Sequence, residues 1–235
     1  MIHLEHKPGI ALQMYTVRAL ANVDFIGTVR KVRRIGYAAV ELAGYGNLSA
    51  SSLHLLLDHL GVRAIAAHVG LVRLENALEE EVAFNLTLGN RELVCPSIPS
   101  ERRQDEAGFR EIAATLNGIG RRCRDLGARL SYHNHAFEFA HFGDRTGMEI
   151  LLDETDPDLV GWEPDVYWIA HVQEDPATWI RRYAARCRLV HLKDMTAGPN
   201  PTFAEVGEGT LDFAPIFEAA SSAEWYIVEQ DACSR

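Results

Sequence analysis

Eight short apolar runs recur along this chain of 235 residues, and their repetition constrains the fold more than any other feature. They span residues 9–12, 38–42, 62–67, 92–95, 129–132, 159–162, 188–191 and 225–228. Their spacing is on the order of 30 residues, the length of a strand plus a crossover helix. Glycine precedes several runs directly after a helical pattern, as at Gly36, Gly61 and Gly127, which fits a left-handed helix C-cap. The pattern predicts eight βα units with parallel strands.

Eight parallel strands can form an open doubly wound sheet or a closed barrel. Neither GxGxxG nor GxxxxGK(S/T) follows the first run, so the usual signature of a nucleotide-binding open sheet is missing. Polar residues lie instead at or just beyond the ends of the runs, the face that carries the active site in a barrel. They are Glu41, His68, His133, His135, Asp165, His191 and Glu229. The sequence therefore predicts an α/β fold, a (β/α)8 TIM barrel, in a single domain over residues 1–235.

The last apolar run is followed by only seven residues, 229–235, so the barrel is expected to lack its final C-terminal helix. Two explanations remain open for this irregularity. Either the chain has been shortened, or the uncovered surface of the last strand packs on a partner subunit in a homo-oligomer.

Bulk properties exclude several classes of protein. A formal net charge of -10 and a pI near 5.5 disfavour a nucleic-acid-binding surface. Cys95, Cys123, Cys187 and Cys233 form no CxxC pair, which predicts reduced thiols in a cytoplasmic protein. The first residues mix acidic and basic side chains, and no apolar stretch approaches the roughly 20 residues of a membrane span. We therefore expect neither a signal peptide nor membrane association.

Four strand-end side chains predict a divalent-metal site, namely Glu138, Asp165, His191 and Glu229. Mn²⁺ and Mg²⁺ prefer carboxylate oxygens and tolerate imidazole. The ends of strands five to eight converge on one wall of a barrel, so these residues could meet. Each also has a structural explanation: Asp165 could cap a helix beginning at Val166, and His191 could be a core histidine. Their joint occurrence on consecutive strands favours the metal site.

Four further residues are candidates for binding a substrate. Lys193 shares the strand parity of His191 and is expected to reach the same cavity. His133 and His135 also share parity, so at least one of them should face the pocket. His68 ends the third strand, where a contact to a substrate hydroxyl and an ordinary buried histidine are equally plausible.

Five motifs carry a resemblance to a known family. In chain order they are YHNHAFEF, WEPDVYW, HLKDM, FAEVGEGTLDF and YIVEQDAC. The segments ALQMYTVR, IGYAAVELAGYG and VRAIAAHVG agree with the first three strands of the same family. Together they closely resemble the sugar phosphate isomerase/epimerase branch of the xylose-isomerase-like TIM barrels, over essentially the whole chain.

The resemblance implies one divalent metal ion, Mn²⁺, Mg²⁺, Co²⁺ or Zn²⁺, held by Glu138, Asp165, His191 and Glu229. Related branches place a ligand glutamate nearer the position of His133, so His133 or His135 is the alternative to Glu138. The implied reaction is isomerisation or epimerisation of a small sugar or sugar derivative. Glu138 and Glu229 would act as base and acid, in either order, on the carbon next to a carbonyl, through an enediolate.

Three other functions compete with this interpretation. A lyase or dehydratase acting on a keto-sugar or keto-inositol needs the same metal and the same first proton abstraction. An endonuclease of abasic DNA would require a trinuclear zinc site and a basic groove. The formal net charge of -10 argues against such a groove. A non-catalytic sugar-binding protein would need no metal.

Overall fold

The computed structural model describes residues 7–232, and its core is a ring of eight parallel strands. In chain order these are β1 (Gly9–Gln13), β2 (Ala39–Ala43), β3 (Arg63–His68), β4 (Glu92–Cys95), β5 (Arg129–His133), β6 (Val160–Glu163), β7 (Leu189–Leu192) and β8 (Trp225–Val228). Each strand pairs with its chain neighbour except β6 with β7, and β8 pairs with β1. A parallel bridge between Asp165 and His191, with the His191 amide donating to the Pro164 carbonyl, joins β6 to β7. The predicted TIM barrel is confirmed.

Helices cover the outside of this ring. They are α1 (Arg18–Val23), α2 (Phe25–Arg34), α3 (Ala50–Leu60), α4 (Leu71–Asn76), α5 (Leu78–Thr87), α6 (Glu106–Asp125), α7 (Gly147–Glu154), α8 (Val166–His171), α9 (Pro176–Arg182) and α10 (Phe213–Ala219). Short 3-10 turns span Met14–Val17, Ser100–Arg102, Phe137–Phe139 and Ala184–Arg186. Residues 229–232, which follow β8, form no helix. No helix in the described range has the length and apolar character that crossing a bilayer requires.

The helix α6 illustrates how the sequence pattern builds the outer layer. Its buried residues Phe109, Ile112, Leu116, Ile119 and Cys123 recur at three- and four-residue steps, as expected for a helix with one face on the barrel. The carboxylate of Asp105 accepts the Gly108 amide and so caps its first turn. The glycines predicted as helix C-caps, at 36, 61 and 127, all have positive φ. The periodicity and cap signals therefore agree with the observed element boundaries.

The three cysteines within the described range, Cys95, Cys123 and Cys187, are buried free thiols, and Cys233 lies outside that range. Burial raises the pKa of the thiols of Cys95 and Cys123 to about 12. They therefore remain protonated and serve as core residues.

Candidate active site

Side chains from five strands meet at the C-terminal end of the barrel. His133 and Glu163 are the last residues of β5 and β6 and lie opposite each other in the strand register. His191 comes from β7, and Glu229 directly follows β8. Possible metal-binding atoms lie within 4.8 Å of one another in two overlapping sets. We call them the Asp165 group (His133, Asp165, His191, Glu229) and the Glu163 group (His68, His133, Glu163, His191).

The Asp165 group contains two imidazoles and two carboxylates, all fully or almost fully buried. Nε2 of His133 lies 3.9 Å from Oδ2 of Asp165, and Nδ1 of His191 lies 2.9 Å from Oε2 of Glu229. Asp165 is held at the start of α8, where its Oδ1 accepts the amide of Trp168. Its own amide donates to Oδ1 of Asn134 at 3.1 Å. Asp165 thus has the capping role anticipated from sequence and still points its other oxygen towards the group.

Lys193 is fully buried beside this group. Its ammonium contacts Asp165 Oδ2 at 2.8 Å, Glu229 Oε2 at 2.9 Å and Asp231 Oδ2 at 2.7 Å. Burial alone would lower the pKa of Lys193, but these three carboxylates outweigh burial and raise it above its usual range. The lysine is therefore a permanent cation that organises the acidic side chains, and it is absent from the cavity lining.

Glu163 and Glu41 form the floor of the site. Oε2 of Glu163 is 3.0 Å from Nε2 of His68, 3.1 Å from Nδ1 of His133 and 3.2 Å from Nε2 of His191. Oε2 of Glu41 is 2.6 Å from Nε2 of His191 and accepts a hydrogen bond from Gln13 at 2.8 Å. Glu41 and Glu163 are fully buried. Three imidazoles therefore converge on one carboxylate oxygen.

The chemistry of these side chains fits a bound cation. Five carboxylates, those of Glu41, Glu163, Asp165, Glu229 and Asp231, meet one ammonium and three imidazoles. Within the Asp165 group, the buried Oδ2 of Asp165 accepts no hydrogen bond from the described residues and forms an ion pair with the Lys193 ammonium at 2.8 Å. Burying several carboxylates together is costly, and a cation between them relieves that cost. Nitrogen and oxygen ligands of this kind suit the divalent ions Mn²⁺, Zn²⁺ and Co²⁺.

The surroundings of Glu229 and His135 lower the pKa of both side chains. Burial would raise the pKa of Glu229, but Lys193 and His191 outweigh it and hold that pKa well below its usual range. Burial, reinforced by the charge of Lys193, lowers the pKa of His135 to about 4. At neutral pH Glu229 is therefore an ionised carboxylate that can accept a proton, and His135 is a neutral imidazole.

A cavity of about 680 Å³ opens above the group. Its lining includes Tyr15, His68, His133, His135, Phe137, Trp168, Glu229 and Asp231. Nδ1 of His135 and Nε1 of Trp168 are buried polar atoms that form no hydrogen bond within the described part of the chain. Aromatic walls with a few polar atoms are typical of small-molecule sites. His68, His133 and His135, three of the four predicted substrate-binding residues, therefore line the cavity, whereas Lys193 lies behind the carboxylates.

Glu138 does not join either group. It lies in the 3-10 turn Phe137–Phe139 and is fully buried, where Oε1 accepts the Tyr132 hydroxyl at 2.5 Å and Oε2 accepts the His135 amide at 2.8 Å. Burial raises its pKa to about 7, and the Tyr132 hydroxyl partly offsets this effect. The structure therefore does not bring the predicted ligand Glu138 together with Asp165, His191 and Glu229: its side chain braces the turn after β5, and His133 is the β5 residue in the Asp165 group.

Glu138→Gln tests this placement directly. We expect unchanged metal stoichiometry, because the carboxylate faces Tyr132 and not the Asp165 group. We also expect a loss of about 1–3 kcal/mol in unfolding free energy, because the amide can accept only one of the two hydrogen bonds. Metal analysis and chemical denaturation measure the two quantities. A variant that purifies without metal would restore Glu138 as a ligand.

Glu41 and Glu163 are the site residues that sequence reasoning left unassigned. Glu41 is the central residue of β2, and Glu163 ends β6. Glu163 precedes Asp165 by two residues, so it shares its strand parity. This shared parity is the sequence feature from which Glu163 could have been assigned to the site. Their contacts depend on neighbouring strands, since Glu41 pairs in register with Gln13 and Glu163 with His133.

Comparison with known proteins relates this geometry to a family. An inosose dehydratase from Geobacillus kaustophilus is 24% identical over 86% of this chain and 78% of its own length. Inosose dehydratases from Lacticaseibacillus casei, Bacillus cereus and Clostridium beijerinckii match over about half of their own length. A sugar phosphate isomerase/epimerase structure from Parabacteroides distasonis superposes with a TM-score of 0.82 and 24% identity, covering 100% of this chain and 90% of that one.

The zinc-bound IolI structure has the same fold, with a TM-score of 0.76, 12% identity and coverage of 95% of this chain and 89% of that one. The model of the family described as xylose isomerase-like TIM barrel matches residues 29–232. That range contains seven of the eight strands and every residue of both groups. The chain therefore belongs to the xylose isomerase-like TIM barrel family.

Proposed function

We propose that this chain is a divalent-metal-dependent enzyme that removes the proton next to the carbonyl of an uncharged keto-polyol. The observation that carries the proposal is the Asp165 group, above which the aromatic cavity opens. The group combines two imidazoles with two carboxylates. One of the two carboxylates, that of Glu229, also lines the cavity. A group that faces both the metal ligands and the substrate space is what proton abstraction requires.

His133, Asp165, His191 and Glu229 are the residues that would hold the metal ion. When bound, the ion would supply Lewis-acid polarisation of the substrate carbonyl. The ionised Glu229 carboxylate accepts the proton from the adjacent carbon, and Lys193 keeps that carboxylate charged and in place. His135 and Trp168 offer their unpartnered nitrogens to substrate hydroxyls.

The charges around the cavity favour an uncharged substrate. Among the described residues 7–232, the twelve that line the cavity include no arginine or lysine, but they do include Glu229 and Asp231. Two arginines lie next to the cavity but do not line it. Arg18 stacks on the Tyr15 ring and donates to the Asp231 carbonyl, while Arg103 stacks on Phe137 and donates to the Ile98 carbonyl. A phosphate ester would therefore meet carboxylates without a facing cation.

Two products can follow from the same proton abstraction. Return of the proton to the opposite face of the same carbon gives an epimer. Delivery of the proton to the former carbonyl carbon, with the hydroxyl proton of the adjacent carbon moving to the carbonyl oxygen, gives an isomer. Loss of a β-hydroxyl, which takes up a proton and leaves as water, gives a dehydrated ketone. The curated relatives described above are inosose dehydratases, and this similarity favours dehydration of a keto-inositol or a related cyclic keto-sugar.

The substrate class is tested by incubating the Mn²⁺-loaded protein in D₂O with neutral cyclic keto-polyols, open ketoses and their phosphate esters. By NMR and mass spectrometry we expect water loss from a neutral cyclic ketone. The matching phosphate ester should react at least about tenfold more slowly because of charge repulsion. Protein stripped of metal by a chelator is the control. Deuterium incorporation without water loss would identify an epimerase or isomerase, and no exchange with any ketone would favour a sugar-binding protein.

A further inference from the structure

We propose that Glu163 and Glu41 are positioning residues that fix which nitrogen of His133 and of His191 is free to bind a metal. They thereby make the Asp165 group, and not the overlapping Glu163 group, the metal site. This inference rests on the metal-dependent function proposed above. Its starting point is that the two groups share both histidines, while a neutral imidazole has one N–H and one lone pair. Each shared histidine can therefore serve only one group.

The contacts of His133 assign its two nitrogens. Nδ1 is 3.1 Å from Oε2 of Glu163, which is hydrogen-bond distance to an acceptor, so Nδ1 carries the hydrogen. Nε2 then holds the lone pair and faces Oδ2 of Asp165 at 3.9 Å. Two acceptors that face each other beyond hydrogen-bond distance are the arrangement that a cation between them would complete.

The contacts of His191 give the same answer on the opposite side. Nε2 is 2.6 Å from Glu41 Oε2 and 3.2 Å from Glu163 Oε2, whereas Nδ1 is 2.9 Å from Glu229 Oε2. Both nitrogens of His191 thus face a carboxylate at hydrogen-bond distance, and their partners distinguish them. Nε2 makes the shorter contact and faces two carboxylates outside the Asp165 group, whereas Nδ1 faces Glu229, a member of that group. We therefore assign the retained hydrogen to Nε2, and Nδ1 is the nitrogen that an ion held by the Asp165 group would take. Carboxylates that accept the second N–H of a ligand histidine fix its orientation and tautomer, and they also raise its basicity.

The same assignment removes the Glu163 group as a metal site. Within that group, the nitrogens of His68, His133 and His191 that face Glu163 Oε2 lie 3.0–3.2 Å from it and act as N–H donors. A nitrogen that donates its hydrogen to a carboxylate has no lone pair for a metal. Glu163 therefore serves as the shared acceptor of three imidazoles.

Both glutamates are well placed for such a role because strands hold them. Glu163 ends β6 opposite His133, and Glu41 lies on β2 opposite Gln13, whose side-chain amide donates to the same Oε2 that faces His191. Their side chains are fully buried. Support from neighbouring strands is more rigid than support from a loop.

The test is the Mn²⁺ and Zn²⁺ affinity of the apo protein, measured by competition with a chromophoric chelator. Glu163→Gln and Glu41→Gln should weaken the affinity by about 10–100-fold at unchanged stoichiometry, as loss of such a supporting carboxylate does in other metal sites. Glu92→Gln is the matched control, since Glu92 is a buried carboxylate bonded to Ser131 and Arg129 at the opposite end of the barrel. Circular dichroism of each variant checks that it is folded.

The variant outcomes separate this inference from the proposed function. Weakened affinity in Glu163→Gln, together with lost binding in Asp165→Asn, supports both. Unchanged affinity in Glu163→Gln with lost binding in Asp165→Asn overturns the positioning role and leaves the metal site standing. Lost stoichiometry in Glu163→Gln with normal binding in Asp165→Asn moves the metal to the Glu163 group and overturns the inference. Normal binding in both variants overturns the proposed metal site itself.

A second measurement needs no variant. In the Cu²⁺-loaded wild-type protein, electron paramagnetic resonance counts the bound nitrogens. The Asp165 group supplies two, from His133 and His191, while the Glu163 group supplies three, because His68 joins them. We expect two equatorial nitrogens, and a three-nitrogen pattern would overturn the assignment.

Discussion

Asp165→Asn is expected to purify without stoichiometric metal and to lose more than about 100-fold in turnover. The figure of about 100-fold is the upper value for losing a residue that only supports a ligand, and a ligand itself should cost more. Asparagine removes the negative charge that faces Nε2 of His133 and the ammonium of Lys193. It still caps a helix as well as aspartate does, so the start of α8 and the fold should be retained.

Metal analysis by mass spectrometry and turnover of the ketone identified in the substrate panel measure the two effects. Asp175→Asn provides the matched control, because Asp175 caps α9 by accepting the Ala177 and Thr178 amides at an exposed position. It undergoes the same chemical change away from the cavity and should keep full metal and activity. A metal-replete, active Asp165→Asn protein would show that the Asp165 group is not the metal site.

Glu229→Gln should lower turnover by about 10²–10⁴-fold, the usual contribution of a general base. Deuterium exchange into the substrate should disappear even when added metal saturates the protein. The amide cannot accept the proton, and it also leaves Lys193 with two carboxylate partners, Asp165 and Asp231. The measurement is NMR-detected exchange in D₂O at several metal concentrations, so that weak metal binding is separated from loss of the base.

Glu224→Gln is the control for this change. Glu224 immediately precedes β8 at the opposite end of the barrel and pairs with Arg188 at the surface. Its loss should leave exchange and turnover unchanged, because a partly exposed ion pair contributes only about 0–1 kcal/mol to stability. Normal exchange in the metal-saturated Glu229→Gln protein would assign proton abstraction to another residue lining the cavity, such as His135.

The Glu138 prediction shows that the alternation of side-chain directions can be used only within a strand. Along a strand, alternate residues face the same side, so the inward direction of His133 at the end of β5 follows from the run before it. Beyond the strand, the chain turns through the 3-10 segment Phe137–Phe139, and parity no longer holds. Sequence alone could not tell that Glu138 turns back to the Tyr132 hydroxyl.

The Glu163 and Glu41 roles illustrate a second limit. Their partners come from strands β3, β5 and β7, which are distant in sequence and meet only when the ring closes. The separation between Glu41 and His191 is 150 residues, yet their side chains lie 2.6 Å apart. Spacing along one chain carries no information about such a contact.

The sequence by itself determined the barrel, the face that bears the polar residues, and the strands that contribute Asp165, His191 and Glu229. It could do so because apolar periodicity and glycine caps are local properties, and βα repetition leaves few topologies. Only the tertiary structure decided that His133 stands where Glu138 was expected, that Lys193 lies behind the carboxylates, and that Glu163 meets three imidazoles. Those relations depend on side-chain directions and on closure between β6 and β7, which arise only when the whole ring packs.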